Sequence, residues 1–204
     1  IIIVMQTLEA IKERRSIKHF DPSHKLTETE IQNLFEMAKL SPTSFNIQNW
    51  RFVYVDDKEV QAQLKSAAWN QAQVEEASGV VVLCADLKAS EKDPQRYWKD
   101  ADQSVQDAIV PMIRKFYEAN ESLQRDEALR SCGIAAQTIM LTAKDMGYDS
   151  CPMIGFDSQK VAQIINLPKD HIVTMMITIG KATQAAKPRS GSLKLSEVLI
   201  RNKF

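Results

Sequence analysis

Apolar positions recur at helical spacing in some stretches of the chain and run continuously in others. In TLEAIKERRSI (7–17), Leu8, Ile11 and, more loosely, Arg15 fall on helical spacing, which predicts a first helix ending near a basic cluster. A second helix follows. Thr27 with Glu30 three residues on is a capping-box signature, and Ile31, Leu34, Phe35 and Ala38 supply a buried stripe. Pro42 is expected to end that helix by disfavouring helical geometry at Ser41. RFVYVDD (51–57), GVVVLCADL (79–87) and IVTMMITIG (172–180) are rich in branched and apolar residues and predict three strands. Helices are expected over 58–68 and about 100–119, and a long one in DEALRSCGIAAQTIMLTAKDMGYD, with Gly147 as its terminator. A short helix is expected in DSQKVAQIINLP. Helices and strands mix without regular βαβ alternation, so the pattern predicts an α+β fold rather than a doubly wound sheet. No repeat or linker divides the 204 residues, which are read as a single domain over 1–204.

Charge narrows the function classes. The 26 basic and 26 acidic residues cancel, which removes the global footprint of a nucleic-acid binder and makes any basic cluster local. No apolar run is long enough to cross a bilayer, and the apolar IIIV before Met5 lacks the basic start and length of a signal peptide and is given no function. Cys84, Cys132 and Cys151 are far apart and form no CxxC pair, so no disulfide is assigned and a reducing cytoplasm is expected. His19, His24 and His171 lack metal-ligand spacing, and no metal is assigned. The six glycines form neither GxGxxG nor GxxxxGK[ST], and neither GxSxG nor HExxH is present. If the chain is an enzyme, a bound cofactor is expected to carry the chemistry.

Four segments are unlike plain core. RRSIKHF (14–20) joins an arginine pair, a hydroxyl and a lysine, which suits a phosphate; taken alone, cations stabilising a helix C-terminus are the default reading. SPTSFNIQNWRF sets amides and hydroxyls beside Phe45 and Trp50, as a planar heteroaromatic ligand requires and as a polar connection also allows. CPMIGFD holds Gly155, where the backbone can approach a ligand or simply turn before a helix. KPRS (187–190) is a second basic cluster, or a solvated loop.

In that order, these segments resemble the FMN-dependent nitroreductase family, in its small bacterial NAD(P)H nitroreductase-like branch. The resemblance runs from about Gln6 to Ile200. It rests on Arg14-Arg15-Ser16-Ile17-Lys18, on Pro42-Thr43-Ser44-Phe45-Asn46-Ile47-Gln48-Asn49-Trp50, on Asn70-Gln71-Ala72-Gln73 and on Ile154-Gly155-Phe156-Asp157. It implies a central antiparallel sheet flanked by helices and an intertwined homodimer with FMN at the subunit interface. Arg14, Arg15 and Ser16, with Lys187 and Arg189, match positions that hold the FMN phosphate and ribityl chain. Lys18, Asn70 and Gln73 match positions at the polar edge of the flavin ring. Pro42, Thr43, Ser44 and Asn46 match the strip reaching the cofactor from the partner subunit, and Ile154 and Gly155 match the turn whose backbone approaches the ring.

The implied activity is ping-pong: NAD(P)H reduces the flavin and a nitroaromatic or quinone-like acceptor reoxidises it. No side chain takes a catalytic role, and Lys18 supports with its charge. Two departures stand out. Ile154 replaces a glutamate of several relatives, and Gln73 replaces a lysine, removing a positive charge that would raise the flavin potential. The alternatives are a flavin reductase or other specialised flavin-dependent reductase, a non-catalytic flavin-binding protein, and an anion-binding interaction protein.

Overall fold

The computed structural model describes residues 7–204, so the run before Met5 lies outside the described residues. In chain order it forms α1 (Thr7–Glu13), α2 (Glu28–Ala38), a 3-10 turn (Ser44–Asn46), β1 (Trp50–Val55), α3 (Lys58–Ala67), α4 (Gln73–Glu76) and β2 (Gly79–Asp86). Then come α5 (Ala89–Lys92), a second 3-10 segment (Pro94–Trp98), α6 (Gln103–Tyr117), α7 (Glu121–Asp145), β3 (Asp149–Met153), α8 (Ser158–Ile164), β4 (His171–Gly180) and α9 (Leu195–Val198).

The continuous apolar run of β2 is buried at every residue because the strand lies inside the sheet, with helices on both faces. The sheet order is β1-β2-β4-β3 and every pairing is antiparallel. The expected α+β class and central antiparallel sheet hold. One face carries α2 and the long α7, with Leu34, Ala38, Ala135 and Ile139 packed on Val81, Leu83, Ile177 and Ile179. The other carries α3 and α8, with Leu64 and Val161 on Val80, Val82 and Met176.

The α2 cap forms as its sequence predicts. Thr27 Oγ1 accepts from Glu30 N at 3.3 Å, and Thr27 N donates to Glu30 Oε2 at 2.8 Å. Tyr148 donates to the same Glu30 from the end of α7, and that hydrogen bond, with those from Thr27, holds the Glu30 carboxyl below its ordinary value. Thr27→Ala is therefore expected to cost about 1 kcal/mol, read as a lower denaturant midpoint at unchanged slope.

Several boundaries move for physical reasons. α1 stops at Glu13, at the basic cluster as expected, and residues 16–17 leave the helix to bridge Ser150 of β3. Its expected apolar face is open: Leu8 is 69% and Ile11 48% exposed, and Ala10 is its buried residue. α2 ends at Ala38, before Pro42 can act. α7 begins at Glu121, earlier than expected, where Asn120 accepts from Leu123 N at 3.0 Å. It ends near Gly147, whose φ of +84° is the left-handed geometry glycine permits. The unexpected strand is β3, five residues containing Pro152; it lies at the sheet edge, where a missing amide is tolerated.

At one end of the sheet Asp86 is buried and receives Arg51 Nη2 at 3.2 Å and Lys92 Nζ at 2.8 Å. Lys92 also reaches Asp170, and with His171 Nδ1 at 2.7 Å it holds the Asp170 carboxyl down at about 2. Asp86, Asp170 and His171 are the one group among the described residues close enough to share a cation. Their carboxylates are already matched by Arg51 and Lys92, so the cluster is a compensated ion network. The three cysteines are free and buried, and burial pushes Cys84 and Cys132 up to about 12. Among the described residues no helix is long and apolar enough to cross a membrane.

Candidate functional site

Two basic segments that are remote in sequence meet in space. After β4 the chain turns back along residues 19–21: Asp21 N donates to Lys181 O at 2.9 Å, Thr183 N to His19 O at 3.1 Å, and Phe20 bridges Ala182. On the other side Ile17 N donates to Ser150 O at 3.1 Å, so residues 16–17 extend the sheet beyond β3. The segment 184–191 is thereby laid over 14–19. Arg15 donates to the carbonyl of Lys187, and Arg189 Nη2 to the carbonyl of Lys12 at 3.2 Å.

Between them lies a cleft of about 520 Å³ lined by Arg14, Arg15, Ser16, Lys18, Lys187 and Arg189 among others, with no carboxylate in its wall. None of these five cations pairs with a carboxylate among the described residues. Arg14 Nη1 and Ser150 Oγ are buried without any hydrogen-bond partner. Buried donors are nearly always satisfied, so an orphaned guanidinium nitrogen beside four more uncompensated cations has the hydrogen-bonding capacity to take an anion with several acceptor oxygens. A phosphate fits that donor set. Both readings of RRSIKHF remain compatible with the fold: Arg14 N still donates to Ala10 O at the C-terminus of α1, and the side chains of Arg14, Arg15 and Lys18 line the cleft. Ser150 stands beside Ser16, outside the cleft wall, and sequence reasoning missed it. It sits in the unpredicted strand, and only the pairing with Ser16 reveals it.

The second group is built on the Trp69–Gln73 loop. Gln71 Nε2 donates to Gly155 O at 2.9 Å and to Ala68 O at 3.2 Å, pinning the Ile154–Gly155 turn. Gln73 is buried behind it, donating to Gln71 Oε1 at 3.0 Å and approaching Met153 Sδ at 3.7 Å. Asn70 is exposed with φ of +59°. Trp69 also has a positive φ, +55°, which is rare for a bulky side chain, and its ring crosses Gly155 so closely that a Cβ there would meet it at 3.1 Å. Glycine at 155 permits that approach without displacing the exposed ring. Trp69 and Ile154 stay exposed, at 69% and 78%. This group adjoins the cationic cleft through β3, whose Cys151 lies near Lys18. Burial pushes the Cys151 thiol up, while Lys18 and Arg14 pull it back.

The third group stands apart from both. Thr43 Oγ1 accepts from Gln48 N at 3.0 Å, Ser44 N donates to Glu127 Oε1 at 3.2 Å, and Tyr117 donates to Ser44 Oγ at 3.0 Å. Asn46 Nδ2 donates to Tyr97 O at 2.8 Å, and Trp98 Nε1 to Phe45 O at 2.9 Å. Phe45, Asn46 and Gln48 hold φ values of +51°, +55° and +44°. Such backbone persists only where the surroundings over-determine it. The strip of Pro42, Thr43, Ser44 and Asn46 is thus rigidly presented, but it lines no part of its own chain's cationic cleft.

A sequence model described as the Nitroreductase family matches residues 11–181, from α1 to just beyond β4. The chain belongs to the nitroreductase family. That family is one of oxidoreductase enzymes. Protein DrgA of Synechocystis is 50% identical over 190 residues, covering 92% of this chain and 90% of that one. The oxygen-insensitive NADPH nitroreductase of Helicobacter pylori is 32% identical over 201 residues, 93% of this chain and 94% of its own. A protein of Exiguobacterium sibiricum, provisionally named a nitroreductase and solved in complex with FMN, superposes with a TM-score of 0.90 at 33% identity and 96% coverage of both chains.

Proposed function

We propose that this nitroreductase-family chain is an FMN-dependent NAD(P)H oxidoreductase that reduces nitroaromatic or quinone-like acceptors. The observation that carries the reading is the cleft in which Arg14, Arg15, Lys18, Lys187 and Arg189 meet no carboxylate and Arg14 Nη1 is left without a partner. The FMN complex of the Exiguobacterium protein and the NADPH dependence named for the Helicobacter relative support it.

FMN, when bound, supplies two-electron chemistry between reduced nicotinamide and an oxidised acceptor. The chain's part is to bind and to orient. Arg14, Arg15 and Ser16 with Lys187 and Arg189 hold the phosphate and ribityl chain, the guanidinium forks matching phosphate oxygens. Lys18 places a positive charge at the polar edge of the ring, where Asn70 also stands. Gln73 sits behind Gln71 and acts on that edge through it. Gln71 fixes the carbonyl of Gly155 and so leaves the Ile154–Gly155 amides free to face the ring. With FMN held there, the chain would admit reduced nicotinamide and acceptor in turn, the ping-pong order.

The active unit in this reading is a homodimer. Pro42, Thr43, Ser44 and Asn46 are rigid but remote from their own chain's cleft, which suits delivery to the flavin of a partner. The segment after Lys181 is exposed almost throughout, with Leu193, Leu195, Val198 and Leu199 in water, and Leu8 and Ile11 of α1 are bare as well. Large exposed apolar surface of this kind asks for cover. A second copy, embraced by segment 182–204, supplies it. The three free thiols suit a cytoplasmic setting.

The purified protein is expected to be yellow, to carry about one FMN per chain, and to bleach on anaerobic addition of NADPH or NADH and recover with a nitroaromatic or quinone. Colourless protein that takes up no FMN overturns the reading. Bound flavin that NAD(P)H fails to reduce points to a flavin-binding role without turnover.

A further inference from the structure

We propose that the cleft between the Asn46–Gln48 loop and the 94–99 segment binds the phosphate-bearing half of the reduced dinucleotide, through Arg96 and Lys99. The inference rests on the reading above, in which Asn46 belongs to the strip serving the partner's flavin. The cleft measures about 420 Å³ and is separate from the cationic cleft of residues 14–19 and 184–191.

Its three cations are not equivalent. Arg51 is already committed, donating to Asp86 at 3.2 Å and to the carbonyls of Gln48 and Trp50 at 3.0 and 2.7 Å. Arg96 and Lys99 are exposed, and neither pairs with a carboxylate among the described residues. Asp100 is the one carboxylate in the wall, so the free groups leave a net positive charge. Arg96 lies 5.4 Å above the ring of Tyr97, which orients its guanidinium without neutralising it.

The cleft is also firmly built. The Asn46 amide holds the carbonyl of Tyr97 and the Trp98 indole holds that of Phe45, so the two walls are bonded to each other. The left-handed backbone of Phe45 and Asn46 is held at those bonds and that of Gln48 by Thr43 Oγ1, a condition found at ligand clamps. A nicotinamide ring stacked at a flavin trails a pyrophosphate and, in NADPH, a 2′-phosphate. The free cations on the Asn46 wall give that polyanion a partner, by attraction and by charge-assisted hydrogen bonds.

The test uses the flavin-loaded protein and the Arg96→Gln/Lys99→Gln double variant, both side chains being exposed and outside the core. In rapid-mixing reduction the Kd for NADPH is expected to rise roughly tenfold or more at an unchanged limiting rate, with Arg96→Lys/Lys99→Arg recovering most of the loss. An equal rise for NADH assigns the contact to the pyrophosphate; a rise confined to NADPH assigns it to the 2′-phosphate. Calorimetric titration with adenosine 2′,5′-bisphosphate and with ADP gives a readout free of turnover, and the variant is expected to lose the heat the wild type gives. Unchanged Kd values for both dinucleotides, or equal nucleotide binding by both proteins, overturn the proposal. A protein without flavin would overturn the reading above instead, and the titrations would still decide for or against this cleft.

Discussion

Replacing both Arg14 and Arg189 with alanine is expected to weaken FMN binding by roughly 10²- to 10⁴-fold, since a hydrogen bond to a charged group contributes about 1.5–3 kcal/mol. Arg14 brings a buried nitrogen with no partner in the protein, so its hydrogen-bonding capacity is unspent until an anion arrives. Arg189 comes from 175 residues further along the chain and is brought onto the end of α1, where it donates to the Lys12 carbonyl. The pair therefore tests the meeting of the two segments as well as the phosphate. Titration of the apoprotein with FMN, followed by flavin fluorescence, measures the loss. Raised salt should weaken the wild type more than the variant, because screening acts on the charges the variant lacks. A near-identical melting temperature is expected in the absence of FMN, as neither side chain belongs to a hydrophobic cluster. Unchanged FMN affinity in the double variant would remove the phosphate site from this cleft.

How much of this was legible follows from where each signal lives. The buried stripe of α2, its capping box and the apolar run of β2 are local patterns, and each appears where the residues place it. β3 escaped because Pro152 argues against a strand unless its place at the sheet edge is known, and sheet order is not a local property. The end of α1 falls at the basic cluster as expected, but the backbone bond from Ile17 to Ser150, across more than a hundred residues, is no local signal. Of the four unusual segments, RRSIKHF and KPRS were each ambiguous alone; what the fold adds is their contact, Arg15 on the carbonyl of Lys187. Gln71 stood inside the Asn70–Gln73 motif without a role of its own, and its hold on Gly155 needs three dimensions to be seen. Arg96 and Lys99 lie in the polar stretch KASEKDPQRYWKDADQ, which carries no motif. Only the missing counter-charges distinguish them from solvated residues.

A chain ending at Gly191 is expected to be largely monomeric at micromolar concentration and to lose FMN, although it keeps Lys187 and Arg189. The deleted residues include Leu193 at 68% and Leu195 at 70% exposure, with Val198, Leu199 and Ile200 also open. None of the five belongs to a buried cluster of its own protomer. Covering one such side chain contributes about 1.5–3 kcal/mol, so removing five strips a dimer of on the order of 10 kcal/mol of gross apolar burial before ordering costs are subtracted. Light scattering or sedimentation reads the change in mass. Far-UV circular dichroism should stay near that of the parent, because the four-stranded sheet and both of its helical layers lie before residue 181. Flavin loss is the sharper outcome. It separates a site completed by the Pro42–Asn46 strip of a second copy from one that a single chain could assemble, since the truncated monomer still carries every cation of the cleft.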